Sequence, residues 1–331
     1  MIVVIFAGIL TGTFGLPMKY TTRWKWEHTW TLWTIWTLLV IPLVAGLATI
    51  PNLFTVLCQS GAAALLKVFV FGLVWGVSAI AFGFGIHYLG LGLGYSLMMG
   101  MIIAIGSLVP LLAGGGKEVS SSNILAMSGA VAVIIAGITL SAWAAVIKTK
   151  DQRPMGESPT AERKSLAKGL IICLIAGTTA PFLNFAFVYG DRIRETAVRL
   201  GTSRTLAPNA VWVVALFGGF IVNLTFTLSL VHKNKSWKLF RNKGTGIYYF
   251  YTFLMGIFWA GSIFIYGMGA ANLGRLGASV GWAAFNAIGI FWANLLGILT
   301  REWQGVGRKG MLLMAAGLTI LIVGVFLIKL V

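Results

Sequence analysis

Along this chain apolar residues fill long runs, and the charged residues are confined to short stretches between them. Asp, Glu, Lys and Arg are absent from 68–116, 119–147, 169–190, 205–231, 244–274, 276–300 and 310–328. About 20 apolar residues in a helix cover the ~30 Å hydrocarbon core of a bilayer, so runs of this length predict membrane spans. The run 68–116 is twice the needed length and is interrupted by HYLGLGLG (87–94), which predicts two helices joined by a tight turn. Ten spans are predicted, at about 2–18, 29–49, 66–87, 92–112, 124–147, 168–189, 208–231, 246–268, 275–299 and 310–329. The expected fold class is an all-α membrane protein.

The pattern repeats. FVFGLVWGVSAIAFGFGIHYLG at 69–90 returns 184 residues later as FLMGIFWAGSIFIYGMGAANLG at 253–274, matching Phe, Gly, Trp, Ser, Gly, Gly, Leu and Gly without a gap. The copies are the third and eighth spans. Five crossings separate them, and an odd number reverses direction. Two like halves inserted in opposite senses form an inverted repeat, the architecture by which secondary transporters present one central site to each side in turn. The expected halves are 1–147 and 168–331, five helices each, joined by a charged loop at 148–167. Glycine ladders along the repeated helices, Gly72, Gly76, Gly83 and Gly85, and Gly256, Gly261, Gly267 and Gly269, are expected to let helix backbones approach. Pro17, Pro42, Pro110 and Pro181 in or beside spans are expected to kink them or free a backbone group.

Composition narrows the class. With 58% hydrophobic and 10% charged residues, against about 25% charged in soluble domains, a water-soluble fold is excluded. The net charge of +17 does not indicate nucleic acid, because 17 of the 25 Lys and Arg fall after the first, third, fifth, seventh and ninth spans. Basic loops mark the cytoplasmic face, so both termini are expected outside, with 148–164 and 232–243 in the cytoplasm. Cys58 and Cys173 form no disulfide framework and read as packing residues. No cleaved signal peptide is expected from the start at Ile2. Metal spacings, nucleophile elbows and Walker loops are missing, and the glycines at 113–117 read as a loop, so neither an enzyme nor a cofactor is expected.

FGLPMKYTTRWKWEHTW (14–30), IPLVAGLATIPNLF (41–54), WGVSAIAFGFGIHYLGLGLGYSLMMG (75–100), ALFGGFIVNL (215–224) and REWQGVGRKG (301–310) resemble the L-rhamnose/proton symporter family of the drug/metabolite transporter superfamily. The resemblance runs through nearly the whole chain in order. It implies a ten-helix, five-plus-five carrier in the plasma membrane, the inner membrane of a diderm bacterium, taking up a sugar such as L-rhamnose or a related small polyol with protons. An exporter or exchanger of another metabolite fits an aromatic site equally well, and a non-transporting subunit that kept the bundle is the third possibility.

A proton-driven carrier needs a titrating group. None of the eight acids lies mid-span, where one would mark function by default. Glu27, opening the second span, and Asp191, closing the sixth, are the acids nearest the membrane, and His87 ends the third. Each is a candidate for proton coupling and could equally be an interfacial charge. A sugar site pairs aromatic faces with hydroxyls and amides. Trp75 with Ser78 and Trp259 with Ser262 are such pairs at equivalent positions of the repeat. Trp282 with Asn286 lies one turn apart, and Asn184 and Asn223 are the polar points of the sixth and seventh spans. Each amide could instead be glue between helices. Trp24, Trp26, Trp30, Trp33 and Trp36 crowd the start of the second span and read as an interfacial belt.

Overall fold

Every predicted apolar run is helical in the computed structural model, which describes residues 1–114, 121–152 and 166–328. Ten helical segments are long and apolar enough to cross a membrane: Ile2–Tyr20, Trp26–Thr49, Ala62–Leu89, Leu93–Leu112, Ser121–Asp151, Leu166–Arg199, Pro208–Lys233, Gly246–Asn272, Gly277–Leu299 and Arg308–Ile328. They are called here the first to tenth spans. Large apolar residues such as Leu66, Leu125 and Phe326 point outward from them, as a lipid-facing surface requires. Among the described residues there is no strand.

The departures from the predicted boundaries have local causes. The second span starts at Trp26, three residues early, and passes through a π-helical segment, Trp36–Val40, just before Pro42. A proline ring collides with the carbonyl four residues back, here that of Leu38, and a widened turn relieves the collision. The fifth span reaches Asp151, so Lys148 to Asp151 are helix rather than loop. Most of the expected connecting loop, 153–165, and most of the glycine turn at 113–117 lie outside the described residues. The sixth span stops at Thr179, resumes at Phe182 after Pro181, and after Gly190 continues as a short amphipathic helix, Asp191–Arg199.

The halves do not sit side by side. The first span packs on the eighth and ninth, the third on the sixth and seventh, the second on the seventh, the fourth on the ninth and the fifth on the tenth. Small residues make these contacts close. A methyl group on Gly72 would lie 1.9 Å from the carbonyl oxygen of Ala215, and one on Gly218 2.4 Å from that of Phe69. The glycine ladders are only partly packing devices, since Gly83 and Gly261 face open space.

Candidate functional site

Where the first four spans meet the sixth, eighth and ninth, they line a cavity of about 250 Å³. Its wall is aromatic. Trp30 and Trp33 come from the second span, Trp75 and Phe82 from the third, Trp259 from the eighth, and Trp282 and Phe285 from the ninth. Trp75 stacks on Trp259 at 5.2 Å between ring centroids and 27° between planes. Trp33 meets Trp259 edge-on at 5.7 Å and Trp30 at 4.3 Å. The belt reading therefore fails for Trp30 and Trp33. It fails for Trp24 as well, which is buried and donates through Nε1 to the carbonyl of Leu239 at 2.8 Å. Tryptophan near a span end is common to both arrangements, and only the partner helix distinguishes them.

No charged side chain lines this cavity, and its polar side chains beyond the indoles are Thr11, Ser78 and Asn286. Ser78 donates to the carbonyl of Trp75 at 2.6 Å, and Ser262 donates to that of Trp259 at 2.7 Å, so the two halves carry the same local bond. Ser262 is fully buried and is not part of the lining. Asn286 donates one of its two amide hydrogens to the Trp282 carbonyl at 2.9 Å. With its hydrogen used internally, Ser78 offers oxygen lone pairs, while Asn286 offers its oxygen and a second N–H, a set that suits a neutral ligand bearing hydroxyl groups.

Asn184 and Asn223 lie outside the lining. Asn184 donates to the carbonyls of Gly106 and Ala278 and accepts from the Tyr266 hydroxyl at 2.5 Å. Asn223 donates to Gly76 and Gly219 and accepts from Trp30 Nε1 at 3.2 Å, holding a cavity tryptophan in place. Trp282 is positioned by its Nε1 bond to Ile102 at 3.0 Å.

The three candidate titrating residues are far apart in character. Glu27 is 6% exposed and accepts from Asn234 Nδ2 at 2.8 Å, so it is not a solvated charge at the start of a span. Asp191 is exposed and paired with Arg194. His87 is exposed near the end of the third span, with its ring beside Tyr88. None lines the cavity.

On the face that carries the chain termini, a funnel of about 780 Å³ opens between the Asp191–Arg199 helix and the eighth and ninth spans. Phe187 and Ala278 line the funnel, and Leu183 and Trp282, one helical turn deeper, line the cavity. Between them lies the layer formed by Asn184, Tyr266 and Trp282. The opposite, basic face is tied shut. Glu302, after the ninth span, pairs with Lys19 and with Lys148 at 3.2 Å, and Gln152 donates to the carbonyls of Glu302 and Gln304.

Ten spans around a neutral aromatic cavity, with a funnel on one face and ionic ties on the other, define a multi-pass membrane carrier. The chain belongs to the L-rhamnose-proton symport protein (RhaT) family, which it matches over residues 2–331. It is similar to an L-rhamnose-proton symporter of Mannheimia succiniciproducens, with 26% identity over 93% of this chain and 90% of the relative. It also resembles those of Cronobacter sakazakii, with 26% identity over 94% and 90%, and Escherichia coli, with 25% over 94% and 91%.

Proposed function

We propose that this chain is a secondary carrier of the bacterial inner membrane that takes up L-rhamnose or a related neutral sugar with protons by alternating access. The observation that carries the substrate reading is the cavity where Trp75 of one half lies against Trp259 of the other. In this reading the rings of Trp75, Trp259 and Trp282 bind the apolar face of the sugar, and Ser78 and Asn286 accept from its hydroxyls. Ser262, Asn184 and Asn223 act by positioning these groups.

The halves are an inverted repeat, 1–147 and 168–331. Two things support this. The matched tryptophans meet at the centre, and the packing is unchanged when each span is exchanged for its counterpart five spans away: first on eighth becomes sixth on third, and fifth on tenth maps onto itself. Of the candidate titrating residues, Glu27 is the best supported for proton coupling, being the one that is buried and tied to the other half of the chain.

The test is accumulation of labelled sugars by cells expressing the chain, with and without a protonophore. Accumulation of a deoxyhexose that collapses with the proton gradient supports the reading. A flat panel with altered efflux of other metabolites would favour the exporter.

A further inference from the structure

Next to Glu27 stands a second buried titratable side chain, which the binding site does not use. His28 is fully buried at the basic face. Its Nε2 lies 2.9 Å from the backbone carbonyl oxygen of Ser236, in the segment that follows the seventh span. A carbonyl can only accept, so Nε2 carries the hydrogen and Nδ1 holds the lone pair. Nδ1 is itself buried and has no partner. The ring is walled by Phe240 at 4.6 Å and Trp24 at 6.5 Å.

This contact is one of four that close the start of the second span onto residues 234–243. The others run from Asn234 to Glu27, from Trp24 to Leu239, and from Arg23 to the Lys243 carbonyl at 3.2 Å. The turn between the two anchoring residues passes through Lys235 at φ 48°, a left-handed conformation unfavourable for a residue with a side chain.

We infer that His28 is a proton-operated latch: a proton taken up at Nδ1 releases the 234–243 segment from the second span and opens the basic face of the carrier. The inference rests on the proton-coupled reading above. In the closed seam the neutral ring already leaves one buried lone pair unsatisfied, which is itself a cost. The imidazolium would carry a second N–H at Nδ1, where no acceptor lies within hydrogen-bond reach. Around the seam the charged side chains are mostly basic and exposed. The segment opposite carries Lys235, Lys238, Arg241 and Lys243, Arg23 and Lys25 precede the histidine, and His232 ends the seventh span. Glu27 is the one acid nearby, Asn234 already engages its carboxylate, and Tyr248 and Tyr249 pack on Trp24 as neutral rings. Water can reach the charged ring only if the segment lifts. Proton loss reverses the change, since neutral His28 again fits its site, and proton release is thereby linked to closure of this face.

The test uses purified protein in detergent, in which both faces are accessible. Ser236→Cys in a Cys58→Ser, Cys173→Ser background reports opening by maleimide labelling, normalised at each pH to the exposed position Trp237→Cys. Labelling is expected to rise about tenfold between about pH 8 and pH 5.5, the interval across which histidines generally change charge. In His28→Gln, which keeps a donor for Ser236 without a titrating ring, labelling is expected to be flat with pH. Hydrogen exchange of 232–245, corrected for intrinsic rates, gives the same comparison between His28→Gln and the native sequence without the added cysteine. A pH-independent seam in the native sequence, or an equal pH response in the Gln variant, overturns the latch. An acid-opened, His28-dependent seam in a protein whose uptake ignores the proton gradient would leave the latch standing and sink the symport reading.

Discussion

Trp75 and Trp259 occupy the same position in the two copies of the repeated helix, and their rings lie against each other at 5.2 Å. In the proposed five-plus-five arrangement a two-fold axis in the membrane plane passes between them. Each ring also borders the cavity, so a substrate there meets both halves of the chain at once. A ligand held by equivalent residues of both repeats is placed to feel any rocking of one half against the other.

Replacing either ring is therefore the most direct probe of the site. A lost stacking partner is worth about 1 kcal/mol or more, and about 1.4 kcal/mol is a decade in affinity. Trp75→Ala and Trp259→Ala are expected to weaken apparent affinity about tenfold, read as KM for uptake at normal membrane expression. Unchanged KM in both variants would reduce the pair to helix packing.

Asn184 should behave differently, because it joins three elements through hydrogen bonds and does not line the cavity. Asn184→Leu leaves the carbonyl of Gly106 without a donor, since its helical partner position is Pro110, removes a second bond from that of Ala278, and frees the Tyr266 hydroxyl. Unsatisfied buried groups cost about 1–3 kcal/mol each. The expected outcome is a clear drop in the thermal transition in detergent, larger than for Asn286→Leu at the cavity wall. Equal transitions for the two variants would contradict this division of roles.

The glycine ladder gives a contrast within one helix. Gly72→Ala drives a methyl group into the Ala215 carbonyl, and relief requires the third and seventh spans to separate. Overpacking of this kind costs about 1–3 kcal/mol, and reduced folded yield is expected. Gly83→Ala meets nothing within 4 Å and should leave yield unchanged. Yields that fall alike would mean the separation between these spans is set elsewhere.

Orientation follows from the basic loops. Single cysteines at Asp151 and Asn234, both exposed on the basic face, are expected to be shielded from membrane-impermeant thiol reagents in intact cells and labelled after permeabilisation. Labelling of both from outside would reverse the assignment and place the funnel on the cytoplasmic side.

The parts of this fold that were legible in the sequence are those set by length and local chemistry. Ten apolar runs gave ten spans because nothing else in a bilayer satisfies the backbone. Trp75, Ser78 and Trp259, which line one cavity, stand out in the sequence because a repeat marks equivalent positions without reference to any partner. What remained hidden depends on contacts between distant segments. Trp30 and Trp33 look like belt residues until the eighth span is set against them. His28 has no local signature at all, because its burial comes from Phe240 and Ser236, more than 200 residues along the chain. The break after Thr179 is signalled by Pro181, but the helix from Asp191 lies beyond the apolar stretch, which does not mark it.

The layer of Asn184, Tyr266 and Trp282 has a kinetic implication. Only one turn of helix separates the funnel from the cavity along the sixth and ninth spans, so on that face the obstacle to a solute is about one side chain deep. Tyr266 is the member whose departure would clear the way; its hydroxyl is bonded to Asn184 and its ring packs on Phe187, Trp212, Trp282 and Phe285. Passage on this side is then a local event, on the clock of a buried ring changing rotamer, whereas the tied basic face must part several segments together. The slow half of the transport cycle is accordingly expected at the basic face.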